Sequence, residues 1–446
     1  MQKEIPMLFE LYKTLLKEFL KFKSISTDPT KVDDLISTSK WLSDLFAKNG
    51  FTVSILKGTT CNPVVVASYV TSNDAETVLV YGHYDVQPAE KDDGWFEDPF
   101  TLYETNNKFY GRGIVDNKGQ VLIHIATVFE LINKKQLKYN VKFVIEGNEE
   151  TSNDDLAGLV AENKDKFACD YIVISDGEII GNNPVIESSL RGGFNCTLKY
   201  ITANNNLHSG IYGGAVPSAA HELQKLLSKI YDENNKITIE GFYNNVDQIS
   251  VSQIANNKKL LPDVKTLYDI TGVKTLLTET DTDYFTQIGL RPTLQVTGLK
   301  SGYIGEGYAN IVPSTAEVKI NFRIVMSQKY KDVMGTFEKF VKDNTPSYVT
   351  YELNFVHPHD PIKIDISSQK VQETIKLLET AFDKEVLIKP VGGAIPVVSD
   401  FKRILGIDSM LISLGNDDCN MHGVNENYNV DLIHKGLIFS KMFFSK

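Results

Sequence analysis

Two histidines and several carboxylates stand where short apolar runs of this chain end. His83-Tyr84-Asp85 follows the run VLVY at residues 78–81. An imidazole that ligates a metal needs its second ring nitrogen held by an acceptor, and residues two apart on extended chain project to the same side. Asp116 lies in YGRGIVDNKG, where a helix begins, so it reads either as a helix cap or as a ligand. Gly111 and Gly113 imitate the start of a dinucleotide fingerprint, but Asp116 stands where the third glycine belongs, which discards nucleotide binding. Glu149-Glu150 ends the run VKFVI at residues 141–145. Adjacent carboxylates at the end of a buried strand repel, and burial raises the cost of ionising each. A cation relieves that strain, binding one carboxylate and leaving the other free to act as a base. Asp176 follows YIVIS, and His422 lies in DDCNMHGVNE. Cys419 precedes His422 by three residues, but a soft thiolate does not suit so carboxylate-rich a set, and it reads as inert. His124, His221, His357, His359 and His434 read as ordinary core, helix or loop residues. Imidazole and carboxylate donors of this mix suit zinc, or manganese or cobalt, and two ions sharing one carboxylate use about this many ligands.

The elements that must bring these groups together are legible as periodicity. The runs at 78–81, 141–145, 171–174 and 410–414 are short and apolar enough for buried strands, and each stops at a cluster containing His, Asp or Glu. In open α/β sheets, sites form just beyond the carboxyl ends of strands, so four such clusters can converge. Leu8, Leu11, Leu15, Phe19 and Phe22 predict an amphipathic N-terminal helix, and a second helix is predicted over 40–49, with Gly50 as its stop. Residues 189–357 read differently. They offer a strand at 191–201, a helix from Pro217 with that proline in its first turn, strands at 293–297 and 317–325, and a helix near 328–343. The sheet-and-helix pattern resumes with a helix over 368–382. The fold class expected is therefore α/β. A discontinuous catalytic domain (residues 1–188 and 358–446) has a mixed, mostly parallel sheet covered by helices, and a smaller α+β domain (189–357) interrupts it.

Composition narrows the partners. Of 446 residues, 57 are acidic and 46 basic, giving a net charge of −11. That balance argues against nucleic acid or an anionic membrane as partner, since both need a basic footprint. Four cysteines, Cys61, Cys169, Cys196 and Cys419, form no C-x-x-C pair and no disulfide framework. The first residues carry Lys or Glu every few positions instead of a signal peptide's apolar stretch, and no apolar run reaches about 18 residues. A cytoplasmic protein is expected.

The segments VYGHYDVQPA, DGWFEDPF, YGRGIVDNKG, EGNEETS, SDG, LRGG, LHSGIYGG, NIVPS, NFRIV, GGAIP and HGVNE occur in this order between about residues 78 and 428. Their succession resembles the dizinc metallopeptidases that include carnosine dipeptidase, glutamate carboxypeptidase, acetylornithine deacetylase and succinyl-diaminopimelate desuccinylase. DVQPA, DGW and LHSG place it nearest the dipeptidase branch. The resemblance implies that His83 and Asp176 ligate one ion, Glu150 and His422 the other, and that Asp116 bridges them before a cis non-proline bond. Asp85 would orient His83, and Glu149 would be the general base. It also implies an inserted lid through which two copies dimerise, with His208 reaching the partner's site to bind the substrate carbonyl. Asn310, Arg323, Gly393 and Ala394 would hold the carbonyl or the free carboxylate. Ala394 stands where dipeptidase relatives have Ser, which leaves only backbone contact there. Asn310 replaces the Thr of the animal dipeptidases, which leaves substrate preference open. The activity implied is hydrolysis of a small peptide with a free C-terminus. An N-acyl amino acid deacylase using the same ions is the nearest alternative. A metal-free binding protein on this fold is the other, against which the complete ligand set and Glu149 argue.

Overall fold

The computed structural model describes residues 5–151, 153–260, 264–280, 282–393 and 395–446. The chain divides into two compact units: 1–188 with 364–388 and 396–446, and 189–363 with 389–395.

The first unit is built on a mixed sheet whose parallel strands are central. Thr77–His83 pairs in parallel with Asn140–Glu146 on one side and with Tyr171–Ile174 on the other, and Tyr171–Ile174 pairs in parallel with Ser409–Ser413. The four strands whose ends carry the candidate groups are thus consecutive neighbours, and their carboxyl ends share one edge of the sheet. Antiparallel strands flank them: Thr52–Leu56 and Val64–Tyr69 beyond Asn140–Glu146, and Val185–Leu190 beyond Ser409–Ser413. The central strands are apolar almost throughout because helices cover both faces, which denies them the alternation of a half-wet sheet.

One of those helices, Lys118–Asn133, is buried along nearly its whole length, as its all-round apolar sequence VLIHIATVFELI requires. It starts immediately after Asp116-Asn117 and so fixes where Asp116 stands. The cap position is occupied by Asn117, whose side chain makes no capping bond, so Asp116 is not a helix cap. The N-terminal helix runs Ile5–Phe19 and buries Ile5, Leu8, Tyr12, Leu16 and Phe19. Each such burial stabilises by about 1.5–3 kcal/mol. That stripe is rotated from the expected one, since Leu11 and Leu15 are only half-buried and Phe22 lies beyond the helix. The second helix spans Val32–Lys48, longer than 40–49, and the chain turns at Gly50 with φ +85°.

The second unit holds an antiparallel sheet in the order Thr293–Ser301, Thr315–Ile324, Gly192–Ile201, Thr350–His359. Alternate residues of Thr315–Ile324 are buried, which leaves one face for a core. Phe194, Leu198, Val318, Ile320 and Phe322 fill that core with Leu223 and Phe337 from the covering helices Ala219–Leu227 and Tyr330–Asn344. Ser218 occupies the cap position of the first of these helices without a side-chain capping bond, so Pro217 precedes the cap instead of sitting in the first turn. His357 and His359, read as loop residues, belong to the Thr350–His359 strand, which runs through residue 358.

Candidate metal centre

The carboxyl edge of the parallel strands gathers the groups singled out in the first unit. His83 ends its strand fully buried. Gly82 beside it has no side chain to spare: a Cβ there would come within 2.6 Å of Asn117 Oδ1. His83 Nδ1 donates to the backbone carbonyl of Asp85 at 3.0 Å and lies 3.3 Å from Asp85 Oδ1. That bond occupies Nδ1 and leaves Nε2 facing Asp116 Oδ1 at 3.0 Å and Asp176 Oδ2 at 3.6 Å. His422 presents its Nε2 to the other Asp116 oxygen, Oδ2, at 2.8 Å and to Glu150 Oε2 at 3.3 Å.

Two groups of donor atoms result, each within 4.8 Å of one another: His83, Asp116 and Asp176, and Asp116, Glu150 and His422. Asp116 belongs to both, with one oxygen turned to each imidazole. The Asp116–Asn117 bond is cis. Asp85, buried behind the cluster, accepts the backbone N–H groups of Glu149 at 3.2 Å and Glu150 at 3.1 Å and the hydroxyl of Ser26 at 2.7 Å.

The electrostatics call for positive charge. Glu149 is pushed well above the usual Glu range, first by burial and then by Asp176, Asp116 and Asp85, with His83 opposing. Burial, opposed by His83, also raises Asp176. Hydrogen bonds to Asp116 and Glu150 raise His422 to about 10, and His83 is raised by Asp176, Asp116 and Asp85 against the effect of its burial. Asp116, though buried, is held below the usual range by the two histidines. Carboxylates that bind protons tightly and imidazoles that will not release them describe a cluster short of cations. Imidazole nitrogens and carboxylate oxygens at these separations are the donor set divalent ions take. The residues fit such ions: His83, Asp116 and Asp176 would hold one, and Asp116, Glu150 and His422 the other.

Residues 79–444 match the model of the peptidase family M20/M25/M40. The chain belongs to that family. It is a metallopeptidase hydrolase, and the family implies divalent metal ions. Among M20 relatives, a cysteinylglycine-S-conjugate dipeptidase of Corynebacterium striatum is 30% identical over 417 residues, covering 92% of this chain and 90% of that protein. The structure of an M20 metallo-carboxypeptidase from Sulfolobus solfataricus matches with a TM-score of 0.85 at 28% identity, over 97% of this chain and 98% of that one. Human carnosine dipeptidase 1 matches with a TM-score of 0.80 at 27% identity, over 99% and 97%. The α/β fold and the dipeptidase branch expected from the sequence agree with these relatives.

The remaining expected residues of the M20 chain lie in its second unit. His208 is exposed, pairs with Ile311 across a short two-stranded ladder, and accepts the N–H of Gly210 on Nδ1 at 3.0 Å. Asn310 is exposed beside it, its carbonyl accepting the N–H of Ser209 at 3.0 Å. Arg323 is half-buried and donates from Nε to Asn321 Oδ1 at 3.2 Å. Gly393 is exposed, and its carbonyl accepts the N–H of Arg191 at 3.1 Å. Ala394 lies outside the described residues.

Sequence reasoning missed several supports. Asn117 donates to the Ser175 carbonyl at 2.6 Å and to Asp176 Oδ1 at 2.8 Å, and Gln87 donates to Glu150 Oε2 at 2.7 Å. Arg191 donates to the Gly392 carbonyl at 2.8 Å. All three sit inside the quoted segments DNKG, DVQPA and LRGG, so adjacency to the named residues was the available signal. The bland readings of two others hold. His124 is buried between the hydroxyls of Ser175 and Ser440, and Cys419 is buried with its thiol donating to Glu178.

Proposed function

We propose that this M20 chain is a cytoplasmic dipeptidase that hydrolyses the amide bond of dipeptides or short peptides bearing a free C-terminal carboxylate. Two divalent ions serve it, zinc by assignment, with manganese or cobalt as substitutes. The observation that carries the reading is the shared Asp116 with the unengaged Glu149 beside it. Among the described residues no hydrogen-bond partner occupies the Glu149 carboxylate, although its backbone is anchored to Asp85. A carboxylate held by its main chain and left open at its oxygens suits a general base.

When bound, the ions supply Lewis acidity, polarising water and the scissile carbonyl. Glu149 takes the proton of the attacking water and returns it to the departing amine, a role typically worth about 10²–10⁴-fold. Asp85 holds Glu149 and Glu150 in register and keeps His83 in the ligating tautomer. We assign the second unit the roles of lid and dimer contact. His208, acting in the site of a partner copy, steadies the carbonyl oxygen, with Asn310 beside it. Arg323 and the loop at Gly393 take the carboxylate, for which a planar guanidinium suits bidentate capture.

The test is a chelated and reconstituted enzyme assayed on a panel of dipeptides beside N-acetyl and N-succinyl amino acids. Dipeptide turnover that disappears on chelation and returns with zinc, manganese or cobalt supports the reading. Turnover of the N-acyl compounds alone makes the protein a deacylase. Glu149→Gln should keep its metal and lose turnover by about 10²–10⁴-fold. Retained activity removes Glu149 as the base.

A further inference from the structure

The ligand loops of the first unit are tied together by a charge pair that none of the roles above requires. Arg112 and Glu426 are both buried and meet with Arg112 Nη1 2.7 Å from Glu426 Oε2. Glu426 uses its other acceptor positions on one loop. Oε2 also accepts the N–H of Gly113 at 2.9 Å, and Oε1 accepts those of Val115 at 2.9 Å and Asp116 at 3.1 Å. Gly113 has φ +84°, a left-handed conformation open to glycine, and from this turn the three amides meet one carboxylate. Arg112 reaches two further loops through Nη2: the carbonyls of His422 at 3.2 Å and Gly423 at 3.1 Å, and that of Pro88 at 3.3 Å. Its guanidinium carbon lies 5.2 Å from the centroid of the buried Trp95 ring.

A buried ion pair is weak evidence for stability, because desolvating two charges offsets their attraction. What this one does is geometric. Asp116 and His422 stand in irregular segments and His83 closes its strand, and the pair hydrogen-bonds to the backbone at Asp116, at His422 and, five residues past His83, at Pro88. His422 needs this most: it sits at φ +61° with its side chain 53% exposed, and its carbonyl is held by Arg112. We infer that Arg112 and Glu426 act as a positioning pair that pre-sets the Asp116–Glu150–His422 group for its metal ion, more than the His83–Asp116–Asp176 group. The inference rests on the metal-centre reading above.

Zinc titration calorimetry on chelated protein tests it, with His422→Ala identifying which binding phase belongs to the His422 ion. In Glu426→Gln the amide group replaces an acceptor with a donor facing either Arg112 or the loop amides. Arg112→Lys keeps the charge and loses the fork. Both variants should hold the His422 ion about 10- to 100-fold more weakly and the other ion nearly as wild type does. Equal weakening of both phases, or no change, overturns the positioning role. Loss of unfolding temperature in the chelated state with the affinity ratio unchanged marks a merely structural pair and also overturns it. If Glu426→Gln does not fold, Arg112→Lys decides. Failure of both to fold counts against positioning. Wild-type protein that takes up no zinc sinks the metal centre itself, whereas two ions in wild type and unaltered variants sink only this inference.

Discussion

Asp85→Asn is the substitution whose consequences the structure specifies most closely. The carboxylate is fully buried and accepts three hydrogen bonds, Oδ1 from the Glu149 amide and Oδ2 from the Glu150 amide and Ser26. Asparagine keeps one acceptor oxygen and turns the other into a donor. With the oxygen at the Oδ2 position, the new NH2 meets the Glu149 N–H head on. With the oxygen at Oδ1, it meets the Glu150 N–H, while Ser26 rotates to accept. Either way one backbone donor of the turn carrying both glutamates loses its acceptor, at about 1–3 kcal/mol in stability. The turn relieves this by shifting, and a displacement of the order of 1 Å at a reacting group costs roughly 10²-fold in rate. Urea unfolding and kcat on a cleaved dipeptide should register both. Ser26→Ala leaves both amides capped and should change kcat far less. Wild-type kcat in Asp85→Asn, or equal damage from Ser26→Ala, would refute the reasoning.

The other expectations can be checked separately. His208→Ala and Glu149→Ala should each be inactive, and mixing them should restore about a quarter of wild-type activity, because half the dimers are hybrids and each hybrid has one intact site. No recovery on mixing excludes a histidine acting across the dimer. Arg323→Ala should raise KM by about 10- to 100-fold on a dipeptide and hardly at all on its C-terminal amide, since only the carboxylate accepts charge-assisted bonds. Arg191→Ala, which frees the Gly392 carbonyl while the backbone N–H still binds that of Gly393, should raise KM with metal content unchanged. Burial holds the His124 imidazole down to about 4. The unfolded chain therefore binds a proton near pH 6.5 that the folded chain refuses. Stability present above pH 6.5 is lost on acidification toward pH 4, by roughly 3 kcal/mol in total. The stability difference between wild type and His124→Gln should shrink across that window, and a pH-independent difference would refute the burial argument.

The parts of this molecule legible in its sequence are those where side chains pack against side chains. VLVY, VKFVI, YIVI and MLISL read as strands because the centre of a covered parallel sheet admits only apolar residues, and their ends announced the cluster. The Thr350–His359 strand was not legible: none of its residues is buried, and its His, Glu and Pro residues imitate a loop. The N-terminal stripe was misplaced because Tyr12, a buried residue with a polar tip, was passed over for Leu11 and Leu15. Glu426, Asn117 and Arg191 escaped for a different reason. They act on backbone amides and carbonyls, whose positions depend on φ and ψ and leave no trace in residue type.

The same distinction explains how the carboxylates of the cluster stay free of fixed cations. Two basic residues flank Asp116 closely in sequence, Arg112 and Lys118, and either could have neutralised it permanently. Arg112 is committed to Glu426 and three carbonyls. Lys118 turns away, donating to the carbonyls of Phe19 at 3.3 Å and Phe22 at 2.8 Å, and burial lowers it to about 7. Among the described residues, no lysine or arginine forms an ion pair with Asp85, Asp116, Glu149, Glu150 or Asp176, and the only basic partners there are the two histidines. A fixed ammonium or guanidinium beside Asp116 would satisfy its charge and occupy the oxygens that the two proposed ions would share. Holding both side chains on main-chain carbonyls and on Glu426 keeps those oxygens free, and the resulting deficit of positive charge is what suits the cluster to divalent ions.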